Sequence, residues 1–118
     1  MIAPTQLRYE QLFICTYITM LDERSAVLAD LFRLLGDQTR LRIVLACAEI
    51  PVAVNDIAER LGLSPSLVSH HLRLLRAARI MRADRQGKQV FYSAADQHIS
   101  DMLTDMLDHV SEPHQETE

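Results

Sequence analysis

Cysteine is nearly missing from this chain. Cys15 and Cys47 are its only two, too few and too far apart for a disulfide framework or a thiolate zinc cluster. Both read as small buried thiols, with a thiol-redox role as the competing expectation. Long apolar runs are missing as well: nothing approaches the roughly 18 consecutive apolar residues of a membrane span. The opening MIAPTQLRYEQLF carries charge inside its apolar stretch and lacks a small-residue cleavage pattern, so a cytoplasmic protein without membrane contact is expected. No internal repeat or low-complexity tract is present. No nucleophile elbow, phosphate loop or deep-pocket pattern accompanies the histidines and acids, which argues against an enzyme and against a small-molecule substrate. With 118 residues and 48% hydrophobic content, one ordered domain spanning 1–118 is expected, with a modest core.

Basic residues stop at Lys88. Arg60, Arg73, Arg76, Arg79, Arg82, Arg85 and Lys88 face one acid between them, Asp84, whereas from Ala94 onward there are seven acids and no lysine or arginine. The net charge of −4 therefore hides a basic segment suited to phosphates and an acidic one suited to cations.

Apolar periodicity predicts a helical extension over 1–28, with one helix from Thr5 to Leu21 and a second from Glu23 to Leu35 that Gly36 ends. Asp37 is placed to cap a third helix, Gln38 to Ala48, before Pro51 breaks the chain. Residues 54–76 read as helix-turn-helix. Gly62 supplies the positive φ of the turn, and Ser64-Pro65 is a cap followed by proline in the first turn. Val68, Leu72 and Leu75 would face inward and His71 would lie near them. Ser64, Ser66, Ser69, His70 and Arg73 are then the candidates for DNA contact. A wing follows over 79–94, strands Ile80–Asp84 and Gln89–Ser93 joined by the turn Arg85-Gln-Gly-Lys88. Arg85 and Lys88 at its tip suit phosphate or minor-groove contact. The fold class expected is mainly α with a small β-hairpin, a winged helix-turn-helix.

The last helix, over 96–112, holds the most specific pattern. Asp96, His98, His109 and Glu112 stand in the order D-x-H, ten residues, H-x-x-E. His98 and His109 are eleven residues apart, about 16 Å of helical rise, so one ion cannot touch both. They nevertheless share a face, because eleven steps of about 100° return to nearly the same direction. Ile99, Met102, Leu103, Met106, Leu107 and Val110 form the apolar stripe between them. An antiparallel second copy would bring Asp96 and His98 of one chain to His109 and Glu112 of the other, giving two four-ligand sites per homodimer, with Asp96 at the helix cap. Two carboxylates and two imidazoles suit tetrahedral Zn(II). Co(II) fits the same shell, and Ni(II) would recruit further ligands such as His114 or the N-terminus.

Taken with LFRLLGDQTRLRI, LGLSPSLVSHHLRLLR and RQGKQVFYS, these features resemble the ArsR/SmtB family of metal-responsive winged-helix repressors, over roughly Ala29 to His114. The ligand pattern resembles the branch that senses zinc through its last helix. Where relatives with a thiolate site carry a cysteine early in the helix-turn-helix, this chain has Ala53. The resemblance implies a homodimer through N- and C-terminal helices that binds double-stranded operator DNA without metal and leaves it on metal binding, releasing genes of metal efflux or sequestration. It also implies that His109 donates to the backbone carbonyl near Arg79.

Overall fold

The computed structural model describes residues 8–113. The expected helix start from Thr5 to Leu7 and the tail from His114 lie outside the described residues. The chain divides into two compact units, the first ending at Arg33 and the second beginning at Leu34, and each is described by itself.

The first unit is built on one helix, α1, which runs unbroken from Tyr9 to Leu35. This corrects the expectation of two helices. The expected boundary falls at Asp22, but Asp22-Glu23-Arg24 contains neither glycine nor proline, and such residues lower helix propensity by at most about 0.7 kcal/mol each. Hydroxyls along α1 turn back into the helix: Thr16 Oγ1 donates to the Leu12 carbonyl (2.9 Å) and Thr19 Oγ1 to that of Cys15 (3.0 Å). Leu12, Phe13, Ile14, Tyr17, Ile18 and Leu21 each remain at least 45% exposed.

In the second unit α2 spans Gln38–Ala46, β1 Val52–Ala53, α3 Val54–Leu61, α4 Pro65–Ala77, β2 Met81–Gln86, β3 Gln89–Ala94 and α5 Gln97–Ser111. The Asp37 side chain accepts from the Arg40 amide to start α2, and α2 ends two residues earlier than its apolar pattern suggests. The expected two-stranded hairpin is a three-stranded antiparallel sheet in the order β1-β3-β2. Its additional strand pairs Val52 with Tyr92 and Ala53 with Phe91. The wing turn is also tighter than expected, because Gln86 pairs with Gln89 and leaves Gly87-Lys88 as the loop. Gly87 takes φ 64° there, a conformation that two-residue hairpins need and glycine adopts at no steric cost. Ile43, Val44, Ile57, Val68, Leu72, Leu75 and Ile80 are wholly buried, so the core lies where α2, α3, α4 and the root of β2 meet.

The end of α4 is unusual. The Ile80 amide donates to the Leu75 carbonyl (2.9 Å) and the Arg79 amide to that of Arg76 (3.0 Å), the double bond of a Schellman cap, a motif that places one residue in left-handed backbone. That residue is Arg79, at φ 61°. A side chain there costs about 1–2 kcal/mol, while glycine loses about 0.4–1 kcal/mol through the unfolded state. Arg79→Gly is therefore expected to raise stability by about 0.5–1 kcal/mol, read as a higher denaturant midpoint at unchanged slope. A lower midpoint would show that the arginine side chain contributes contacts outweighing its strain.

Candidate DNA interface and metal-ligating helix

Helices α3 and α4 meet through a turn built by local rules. Gly62 takes φ 68° at the end of α3, and the Leu63 amide donates to the Ala58 carbonyl (2.9 Å). Arg42, reaching from α2, donates through Nη2 to the Leu61 carbonyl (3.3 Å), adding a cation at the C-terminal end of α3. Helix α4 then begins with Pro65 in its first turn, and Ser64 Oγ accepts from the Leu67 amide (3.1 Å).

Val68, Leu72 and Leu75 each bury completely, which fixes the rotation of α4 and turns Ser66, His70 and Arg73 to solvent. Of the other residues expected at DNA, Ser64 is exposed but serves as the helix cap, and Ser69 is half-buried at the edge of the presented face. His71 is half-buried, its Nδ1 buried without a hydrogen-bond partner and its ring 5.6 Å from that of His70. Burial and then the Arg40 guanidinium lower the His71 pKa, with Asp37 opposing, so the imidazole is held toward its neutral form. Asp37 is itself lowered, chiefly by the Arg40 amide its carboxylate accepts.

In the wing, Arg82 Nε donates to Ser93 Oγ (3.1 Å) across the paired strands, and Arg85 Nε to the Gly87 carbonyl (3.3 Å). Lys88 stands exposed in the turn. Among the described residues the one salt bridge is Arg33–Asp30, so no carboxylate of the described chain neutralises Arg73, Arg85 or Lys88. An exposed helix face carrying hydroxyls, imidazole and guanidinium beside a basic hairpin is an arrangement that reads a major groove while holding phosphates.

Helix α5 presents a different chemistry. Asp96 is its N-cap, Oδ1 accepting from the Ile99 amide (3.1 Å), which leaves Oδ2 for another partner. Glu112 is the C-cap residue at the opposite end. His98, His109, Asp96 and Glu112 are all exposed. Among the described residues no three His, Cys, Asp or Glu side chains gather closely enough to hold a metal ion. Leu103 is the buried anchor of the helix, whereas Met106, Leu107 and Val110 are 53%, 45% and 67% exposed. With Leu41 and Leu45 of α2 these residues line an apolar groove. The hydrogen bonds of the described residues do not include one from His109 to the carbonyl near Arg79.

The two cysteines part company. Cys15 is exposed on α1 and Cys47 is buried, where desolvation pushes its thiol up to about 12. A thiol so raised holds almost no thiolate at neutral pH and is inert.

Comparison with known proteins agrees with this architecture. Residues 37–82 match the model of the arsR family of bacterial regulatory proteins. The transcriptional repressor SmtB homolog of Synechocystis is 37% identical over 90 residues, covering 76% of this chain and 68% of that protein. The regulator NmtR of Mycobacterium tuberculosis is 34% identical over 92 residues, covering 78% and 77%.

The chain belongs to the ArsR family.

The solution structure of apo-NmtR superposes with a TM-score of 0.70 at 31% identity, covering 82% of each chain. As an ArsR-family member the protein is a winged helix-turn-helix regulator of transcription with DNA as its partner, not an enzyme. None of its described helices is long and apolar enough to cross a membrane. Two residues of the winged-helix unit, Arg42 and Arg79, escaped sequence reasoning. Arg42 gave no signal because its acceptor is 19 residues away, and nothing in Ala78-Arg79-Ile80 announces a left-handed residue.

Proposed function

We propose that the protein is a metal-sensing repressor: a cytoplasmic homodimer that holds operator DNA without metal and releases it when Zn(II) occupies sites made by Asp96 and His98 of one copy with His109 and Glu112 of the other. One observation carries this reading. Four exposed donors sit at the two ends of an apolar helix stripe whose C-terminal half is exposed, and within one chain they do not converge. The donor set suits the ion, since two imidazoles and two carboxylates, with one Asp96 oxygen still available, match the four-coordinate preference of zinc. When bound, the metal supplies a cross-link between the two copies of α5.

The chain's own residues do the rest. Met106, Leu107 and Val110 supply apolar surface for the second copy. Asp96 and Glu112 fix where that copy must end. Ser66, His70 and Arg73 on two copies of α4 enter successive major grooves about one helical turn apart, while Arg85 and Lys88 hold phosphates. Arg79 stands directly after α4, where the resemblance places the acceptor for the second nitrogen of His109. Co(II) fits the same four donors, and Ni(II) would draw further ligands. A thiol-redox sensor through Cys47 is the weaker reading, because that thiol is buried and pushed up to about 12, which leaves only Cys15, exposed on α1, to serve one.

The test is a fluorescence-anisotropy titration, at fixed salt, of a labelled duplex selected by the metal-free protein from random sequence. Zn(II) is expected to weaken binding by roughly 5- to 150-fold. The cobalt form should show the absorption of a four-coordinate ion, a six-coordinate spectrum favouring the nickel reading. Binding indifferent to Zn(II), Co(II) and Ni(II) would contradict the sensor.

A further inference from the structure

Helix α5 carries the proposed metal donors, yet few hydrogen bonds join its first turn to the DNA-reading elements. The backbone before it is tied once, where the Ala95 amide donates to the Ile80 carbonyl (2.9 Å), just past the Schellman cap of α4. The other tie is a side chain. Ser100 Oγ donates to the carbonyl of Ala48 (2.9 Å), 52 residues away, just past the end of α2 in the segment that runs through β1 into α3. Every other side-chain hydrogen bond of α5 among the described residues is local: Gln97 to Asp101, the Ile99 amide to Asp96 and Ser111 to Leu107.

We propose that Ser100 is the positioning residue that transmits a displacement of the Asp96–His98 end of α5 to the helix-turn-helix, through its hydrogen bond to Ala48. The surroundings suit such a relay. Two open clefts, about 590 and 230 Å³, share Ala48, Glu49, Gln97 and Ser100 in their linings, so open space flanks the Ser100–Ala48 bond, and of the side chains of this turn only Ile99 and Ser100 are half-buried. The apolar anchor, Leu103, lies almost one turn further on. A turn held this way shifts as a unit. Ser100 is two residues from His98 and points to nearly the opposite side of the helix, about 200° away. Movement of the donors on one side is therefore movement of the hydroxyl on the other. Together with the Ala95–Ile80 bond it gives the donors two routes into the DNA-reading unit, one at the end of α4 and one at the end of α2, ahead of the strand that enters α3.

This inference rests on the sensor reading above, and the experiment separates the two. Full-length wild type, Ser100→Ala and Ser100→Thr are compared for three quantities: duplex affinity without metal, Zn(II) affinity without DNA, and the ratio of duplex affinities with and without Zn(II). Ser100→Ala is expected to keep the first two within about threefold and to lower the ratio by roughly three- to tenfold, the range of one neutral hydrogen bond, while Ser100→Thr restores it. In the metal-free Ser100→Ala protein, amides of the first turn of α5 should exchange faster while those of α4 do not. A wild type that responds to Zn(II) alongside a Ser100→Ala ratio equal to it overturns the relay and leaves the sensor standing. Loss of metal-free duplex binding in both variants makes Ser100 a structural residue and also overturns the relay. A wild type without any metal response overturns the sensor and the relay with it.

Discussion

His109→Ala is expected to abolish the metal response while leaving metal-free operator binding within about twofold of the wild type. The side chain is exposed at the far end of α5 and makes no hydrogen bond to the described residues, so its removal leaves no buried group unpaired and no cavity. What it removes is one of four donors. Loss of an outer-shell partner of a metal ligand already weakens binding by about 10- to 100-fold, and loss of the ligand itself should exceed that. The whole coupling between metal and DNA, roughly 5- to 150-fold, should vanish with it. Competition against a chromophoric chelator reads the first effect and anisotropy the second. A variant that still releases DNA at the wild-type zinc concentration would move the site off this helix.

Leu72→Ala is expected to destabilise the winged-helix unit by about 2–5 kcal/mol. Leu72 is wholly buried and stands between Val68 and Leu75, which are buried to the same degree, so these three side chains anchor the rotation of α4. Against a total stability of about 5–15 kcal/mol for a domain of this kind, the loss is a large share, and operator binding should fall as the presented face loosens. Leu74, on the other side of the helix and 39% exposed, provides the contrast: its replacement by alanine should cost less than about 1 kcal/mol. Denaturant melts of both variants check this, and equal costs would mean that α4 is not anchored as described.

What the sequence disclosed depended on how far each determinant lies from its partner. The caps at Asp37, Ser64 and Asp96 were legible because each side chain bonds an amide three residues on. Gly62 was legible because a turn between two helices needs positive φ and few residues provide it. The strand β1 was not, since two residues cannot show a period and their pairing partners, Tyr92 and Phe91, lie about 40 positions away. The unbroken α1 was not legible, because the apolar pattern divides at Asp22 while no glycine or proline there breaks the backbone. The left-handed Arg79 is imposed by the hydrogen bonds that close α4 and contradicts its own local preference. The metal-ligand pattern is a middle case. Its spacing along α5 was plain, and the structure places all four side chains on the surface, but the chemistry needs a second chain, and one sequence shows only half of each site.

The division of each site between two chains is what the account depends on most, and mixed dimers test it directly. His98→Ala and His109→Ala are each expected to remove both sites from their own homodimers. When the two variants are co-expressed and the heterodimer is isolated with two different affinity tags, the intact His98 of one chain meets the intact His109 of the other, and the remaining pair lacks both. One tightly bound Zn(II) is expected per heterodimer, against two per wild-type dimer and none per mutant homodimer, measured by metal analysis after gel filtration. A heterodimer that binds no zinc would contradict that division.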